Sequence, residues 1–239
     1  TVAGMIFQED QHALMMQKGM EAAATDYGCN FLSGNCSQDQ QKEAEYVNTY
    51  VAQGVDGIAI APLSADGSVS ALKSAANAGL KIALSDRDLS DTSFTVGGFT
   101  SNQYQLGEST GKVCKEFIES EMDGKANIAV IQYKSFHESS IPRVEGFEDQ
   151  VTQLDGVKIV SDQDSWETDK AYAMVQDLLN SDLDVNLIFC NNENAVLSAA
   201  KAVIQAGRAG EVFVFGVDCS EQIASVMQEN KDVLKAVTA

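Results

Sequence analysis

Three charged residues follow the apolar run Leu80-Lys81-Ile82-Ala83-Leu84: beyond Ser85 come Asp86, Arg87 and Asp88. An ionised carboxylate only accepts hydrogen bonds, and a guanidinium presents a planar fork of donors. Side by side, Asp86 and Arg87 can hold adjacent hydroxyls of a polyol. Taken alone, these residues are better read as a surface loop with a local ion pair. The same kind of polar terminus recurs along the chain. Gln8, Glu9, Asp10, Gln11 and His12 follow the first apolar run. Tyr133, His137, Ser140 and Arg143 follow Val130-Ile131. Asp162, Asp164 and Trp166, the sole tryptophan, follow Ile159-Val160. Asn191, Asn192 and Glu193 follow Ile188-Phe189, and Asp218 follows Phe215-Gly216-Val217. Individually, Asp162, Asp164, Asn191 and Glu193 suit helix caps or solvated loops. Two Asp, an Asn, two Arg and a Trp together suit a sugar. Hydroxyls donate to carboxylates, amide and guanidinium groups bind in pairs, and an aromatic ring packs on the apolar face of the sugar ring.

The elements that must present these residues alternate in type. Apolar runs predict strands over Val2–Phe7, Asn30–Ser33, Gly57–Ala61, Leu80–Ser85 and Ser93–Gly97. A second set follows at Asn127–Gln132, Val157–Val160, Val185–Phe189, Val212–Val217 and Leu234–Ala239. Between them lie apolar stripes at helical spacing, such as Met16, Met20, Ala23 and Tyr27, or Leu197, Ala200 and Ile204. Gly28, Gly54, Gly79 and Gly207 stop helices. Ser140, two residues before Pro142, reads as the cap of one helix. Strand–helix alternation predicts an α/β fold with parallel sheets flanked by helices on both faces. The pattern begins again after Thr100-Ser101-Asn102, which predicts two similar lobes, 1–101 and 102–237. In open parallel sheets ligands bind outside the carboxyl ends of the strands, and a crevice between lobes is the default site.

Composition narrows the partners. The net charge of -19 argues against DNA, RNA or anionic lipid surfaces, which need Lys and Arg to displace counterions. No apolar run approaches the ~20 residues of a membrane span. The chain opens inside a strand-like segment, which reads as a trimmed N-terminus. Five cysteines, Cys29, Cys36, Cys114, Cys190 and Cys219, show no CxxC or Cys/His spacing, so no metal site is expected. Cys29 and Cys36 flank one strand and stand ~23 Å apart along it, too far for a disulfide. Buried structural thiols are the expected state, and a Cys190–Cys219 contact stays open. The two histidines, His12 and His137, have no recognisable Ser or Cys partner. No glycine-rich phosphate loop follows a strand. Neither an enzyme nor a cofactor is expected.

Several of these segments, taken jointly, resemble a known family. They are Gly19, Ile60-Ala61-Pro62, Ser85-Asp86-Arg87, the run Arg143-Val144-Glu145-Gly146-Phe147, Asn192-Glu193-Asn194-Ala195-Val196-Leu197 and Val214-Phe215-Gly216-Val217-Asp218. The chain resembles, over its whole length, the type I periplasmic sugar-binding proteins of ABC transporters, close to the ribose- and galactose-binding group. The resemblance implies two Rossmann-like lobes that close by a hinge on one sugar or polyol, then dock on a membrane permease. It implies a monomer in the periplasm or a cell-surface lipoprotein. Asp86 and Arg87 match the family's hydroxyl-binding pair on the first lobe, and Arg143 its second-lobe arginine. Trp166 falls on the stacking aromatic, and Asn192 and Asp218 on the amide and carboxylate ligands. Asp10 stands where the family usually has Asn. His12 and Ala13 stand where an aromatic pair is common, and Ala61 where Asn or Asp often binds. His12 then either replaces an aromatic or caps its helix. The family's return crossover would begin at 238–239, so its last strand and helices fall beyond Ala239. The rival reading is the effector-sensing domain of a LacI-type transcription repressor, which shares the architecture.

Overall fold

A computed structural model of the chain describes every residue except Ser135 and Trp166. The chain divides into two compact units, Thr1–Ser101 and Asn102–Ala239. The first unit runs β1 (Val2–Ile6), α1 (Gln11–Asp26), β2 (Phe31–Asn35), α2 (Gln40–Gln53), β3 (Gly57–Ile60), α3 (Val69–Asn77), β4 (Lys81–Asp86) and β5 (Gly97–Thr100). Its five strands are all parallel, in the order β2-β1-β3-β4-β5. The second unit runs α4 (Gln103–Glu121), β6 (Lys125–Gln132), α5 (His137–Val151), β7 (Gly156–Asp164), α6 (Thr168–Leu179), β8 (Leu187–Cys190), α7 (Glu193–Gln205), β9 (Phe213–Val217), α8 (Glu221–Glu229) and β10 (Leu234–Thr238). Its parallel sheet has the order β10-β9-β8-β6-β7. Numbered within each unit the two orders are the same, and each sheet reverses its winding beside its first strand. Such a switch point opens a crevice at the carboxyl ends of the strands.

Burial on both faces explains why the central strands are continuous apolar runs. In β8, Leu187 and Phe189 enter one core with Cys114, Ile118, Val144 and Phe147. Ile188 and Cys190 point the other way, into a core with Val175, Val196, Ala199 and Val203. The rings of Phe147 and Phe189 stack 3.9 Å apart, clamping α5 onto the sheet. In the first unit Ile58, Ile60, Ile82 and Leu84 meet Val47, Tyr50 and Leu72 of α2 and α3.

Three expectations need correction. The strand expected over Ser93–Gly97 is displaced: β5 spans Gly97–Thr100 and is exposed throughout. Asp91 accepts from the Ser93 N–H, and Thr95 donates to the Thr92 carbonyl, so local bonds hold this segment as a turn. Ser140 is not a cap. Helix α5 begins at His137, and Ser140 lies buried inside it with Pro142 two residues on. The five cysteines are all free thiols, so Cys190 and Cys219 form no bond; Cys36, Cys114 and Cys190 are buried, whereas Cys29 is half-buried and Cys219 exposed. Thr238 is still paired within β10.

Candidate functional site

In the first unit the polar residues gather beyond β1 and β4. Asp10 is the N-cap of α1. Its Oδ1 accepts from the Ala13 N–H at 2.7 Å, and its Oδ2 accepts from the Gln8 amide. The cap is therefore Asp10 and not His12. His12, one residue into the helix, turns its Nε2 to 3.3 Å from Asp86 Oδ1. Asp86 ends β4 with φ +67°, in the left-handed region. Its Oδ2 lies 3.5 Å from Arg87 Nε. The Arg87 guanidinium lies over the ring of Phe7 at 4.0 Å, a cation–π arrangement. Its Nη1 reaches the Leu63 carbonyl at 3.4 Å. That carbonyl belongs to a residue pinned from behind: the Leu63 N–H donates to Glu43 Oε2 at 2.8 Å, and Glu43 is fully buried. Phe7 and Glu43 were not singled out from the sequence. Ala61 is buried at the end of β3 and brings no polar group.

In the second unit the gathering lies beyond β6, β8 and β9. Arg143 projects from α5 and is held on two edges. Its Nε donates to Gln103 Oε1 at 2.7 Å, and its Nη1 donates to the Asn191 carbonyl at 2.7 Å. The same Nη1 lies 3.3 Å from Asp218 Oδ1. The Arg143 side chain is 13% exposed and that of Asp218 23%, so the pair is mostly but not wholly withdrawn from water. Asp218 follows β9 with φ +80°, and its Oδ2 accepts from the Glu193 N–H at the start of α7. Asn192 caps α7 by accepting from the Ala195 N–H, and its amide donates to Asn191 Oδ1. Behind these lies a polar chain, buried at Asn191, Ser140 and Gln132 and reaching the surface at Asp162. Asn191 donates to Ser140 Oγ at 2.5 Å, Ser140 donates to Gln132 Oε1 at 3.1 Å, and Gln132 donates to Asp162 Oδ1 at 2.8 Å. Trp166 lies outside the described residues.

Each unit thus presents an arginine beside a carboxylate that stands at the end of a strand. Such sets recognise neutral polyhydroxylated molecules: the carboxylate accepts a hydrogen bond from a hydroxyl, and the guanidinium donates to hydroxyl oxygens. Among the described residues no group of three His, Cys, Asp or Glu is placed to hold a metal ion. No helix among them is long and apolar enough to cross a membrane.

Comparison with known proteins agrees with this architecture. Residues 4–233 match the family model described as periplasmic binding protein domain; the chain belongs to that family. The ABC transporter periplasmic-binding protein YphF of Escherichia coli (strain K12) is 28% identical over 99% of this chain and 74% of its own length. The D-ribose/D-allose-binding protein of Pseudomonas aeruginosa is 26% identical over 91% of this chain and 70% of its own. Among solved structures, an ABC transporter solute binding protein from Bacillus halodurans C-125 with bound myo-inositol superposes with a TM-score of 0.86. It is 21% identical, covering 96% of this chain and 79% of that one.

Proposed function

We propose that the protein is an extracytoplasmic solute-binding protein that captures one monosaccharide or polyol and delivers it to the permease of an ABC transporter. The observation that carries the reading is the repeated pair: Asp86 with Arg87 at 3.5 Å and Asp218 with Arg143 at 3.3 Å, each at the carboxyl end of a strand. In this reading both units grip one ligand and close on it about a hinge. His12, Asp86 and Arg87 act from the first unit, and Arg143, Asn192 and Asp218 from the second. Trp166 stacks on the sugar ring. Asp10 and Asn192 serve first as caps and offer the ligand their remaining lone pairs. The acidic surface favours a protein that works as a soluble monomer. Family membership and relatives named for sugar binding support transport over the repressor reading, and binding over catalysis.

The test is a thermal-shift and intrinsic-fluorescence screen against pentoses, hexoses and polyols, with D-ribose, D-allose and myo-inositol included. One class should raise the melting temperature and change the emission of the sole tryptophan. Chemical turnover of a bound sugar, or the absence of any shift across all three classes, would refute the proposal.

A further inference from the structure

Helix α4 meets α5 so closely that glycine is required at the contact. A Cβ on Gly107 would stand 1.8 Å from the Arg143 carbonyl oxygen, and one on Gly146 would stand 2.2 Å from the Tyr104 carbonyl oxygen. The backbone of Arg143 therefore rests against α4. One helical turn before Gly107, on the same face, stands Gln103, the first residue of α4. Its side-chain Oε1 accepts a hydrogen bond from Arg143 Nε–H. Thus one face of one helix fixes Arg143 twice, at its carbonyl and at the first nitrogen of its guanidinium.

The rest of the guanidinium follows from that anchor. Nε goes to Gln103, and Nη1 goes to the Asn191 carbonyl and toward Asp218. Nη2 has no hydrogen bond among the described residues. A planar group tied at two of its three nitrogens cannot rotate, so its third nitrogen is aimed before any ligand arrives. Preorganisation of this kind improves affinity by removing the ordering step from binding. Without the Gln103 acceptor, a largely buried N–H loses its partner, and the group swings to satisfy it.

We propose that Gln103 is a positioning residue for sugar binding: it holds Arg143 Nε so that Nη2 faces the ligand. This rests on the binding function proposed above and extends it to a residue that does not itself touch the sugar. Three variants test it: Gln103→Leu, which removes the acceptor, Gln103→Glu, which keeps one, and Arg143→Lys as an assignment control. The chain has three arginines, Arg87, Arg143 and Arg208, so the Nε–H region of a proton–nitrogen NMR spectrum is simple to assign. The Arg143 Nε–H should be protected from exchange in the parent protein and in Gln103→Glu, and fast-exchanging in Gln103→Leu. For the tightest sugar of the screen, Gln103→Leu should weaken binding roughly tenfold, as expected for one lost charge-assisted bond, and Gln103→Glu should stay within about threefold. Both should keep the parent melting temperature within a few degrees. Equal exchange rates and equal affinity in the parent and Gln103→Leu overturn the inference. If the parent binds no sugar at all, the proposed function falls, and the exchange rates alone still decide whether Gln103 fixes Arg143.

Discussion

Asp86 and Asp218 share a backbone conformation that side chains other than glycine seldom adopt: φ is +67° at the first and +80° at the second. Aspartate tolerates this region better than most residues, but an occupied left-handed position still costs about 1–2 kcal/mol. Each sits at the carboxyl end of a strand, where the turn aims its carboxylate at an arginine. Such a conformation persists only where the surrounding structure holds it, and Ser37, Gln38, Asp123 and Asp184 share the positive φ away from these two pairs. Replacing Asp86 with Gly or with Ala separates the two effects. Both variants lose the carboxylate, and only glycine relaxes at positive φ. Asp86→Gly should be more stable than Asp86→Ala by about 1 kcal/mol in urea unfolding. Equal stability would mean that no strain resides there.

Gly107 supplies a second prediction. Its replacement by alanine drives a methyl group into the Arg143 carbonyl, and backbone cannot swing aside as a side chain can. Overpacking of this kind destabilises by about 1–3 kcal/mol. Because Arg143 moves with α5, Gly107→Ala should also weaken sugar binding. Gly28→Ala, at the end of α1 and with open space around it, should lose stability through its positive φ alone and leave affinity unchanged. Calorimetric titration of both variants checks the contrast.

A third concerns pH. Burial, followed by the nearby carboxylates Asp162, Asp149 and Glu145, holds the Glu148 carboxyl above its ordinary range. The folded protein therefore binds this proton more tightly than the unfolded chain does. Stability from Glu148 is fully present below the ordinary glutamate value of 4.5 and is lost as pH rises through the raised one. Glu148→Gln should raise the melting temperature at pH 7, and the gain should fade as pH falls below that range. A gain that persists unchanged in acid would contradict this assignment.

The thiols give a fourth. Burial and then the charge of Glu43 push the Cys36 thiol up to about 11, and burial alone pushes Cys114 and Cys190 up further. Thiolate is the reactive form, so these three should resist a disulfide reagent until the protein unfolds. Cys219 is exposed and directly follows Asp218. It should react fastest in the native state, ahead of the half-buried Cys29, with the fastest phase gone in Cys219→Ser. Saturating sugar should slow that phase.

The alternation of elements could be read from the sequence because strands buried on both faces must be apolar throughout, as in Leu187–Cys190. The strand β5 was misplaced for the converse reason. Its Gly97-Gly98-Phe99-Thr100 is an exposed edge, where burial imposes no pattern. Ser140 preceding Pro142 carries the signature of a helix start, yet its hydroxyl donates to Gln132 at the end of β6 and accepts from Asn191, fifty-one positions along the chain. Asp86, Arg87 and Asp218 stand out in the sequence because charge at the end of an apolar run is conspicuous, and Arg143 stands out through the run Arg143-Val144-Glu145-Gly146-Phe147. Their supports could not. Phe7 lies beneath Arg87 across eighty positions of sequence, and Gln103 and Glu43 are ordinary polar residues on helices until the fold brings them to Arg143 and to the Leu63 loop. Asp10 shows a further limit, since a helix cap and a sugar ligand use the same residue types.

The central claim is that groups from both units hold the same small molecule. Titrating the tightest sugar of the screen into the parent protein, Asp86→Asn and Arg143→Leu by calorimetry tests it most directly. Each variant should keep the parent circular dichroism and lose affinity by about a hundredfold or more, as expected when a charged partner is removed from a desolvated contact. A variant in either unit that binds the sugar as tightly as the parent would contradict the claim.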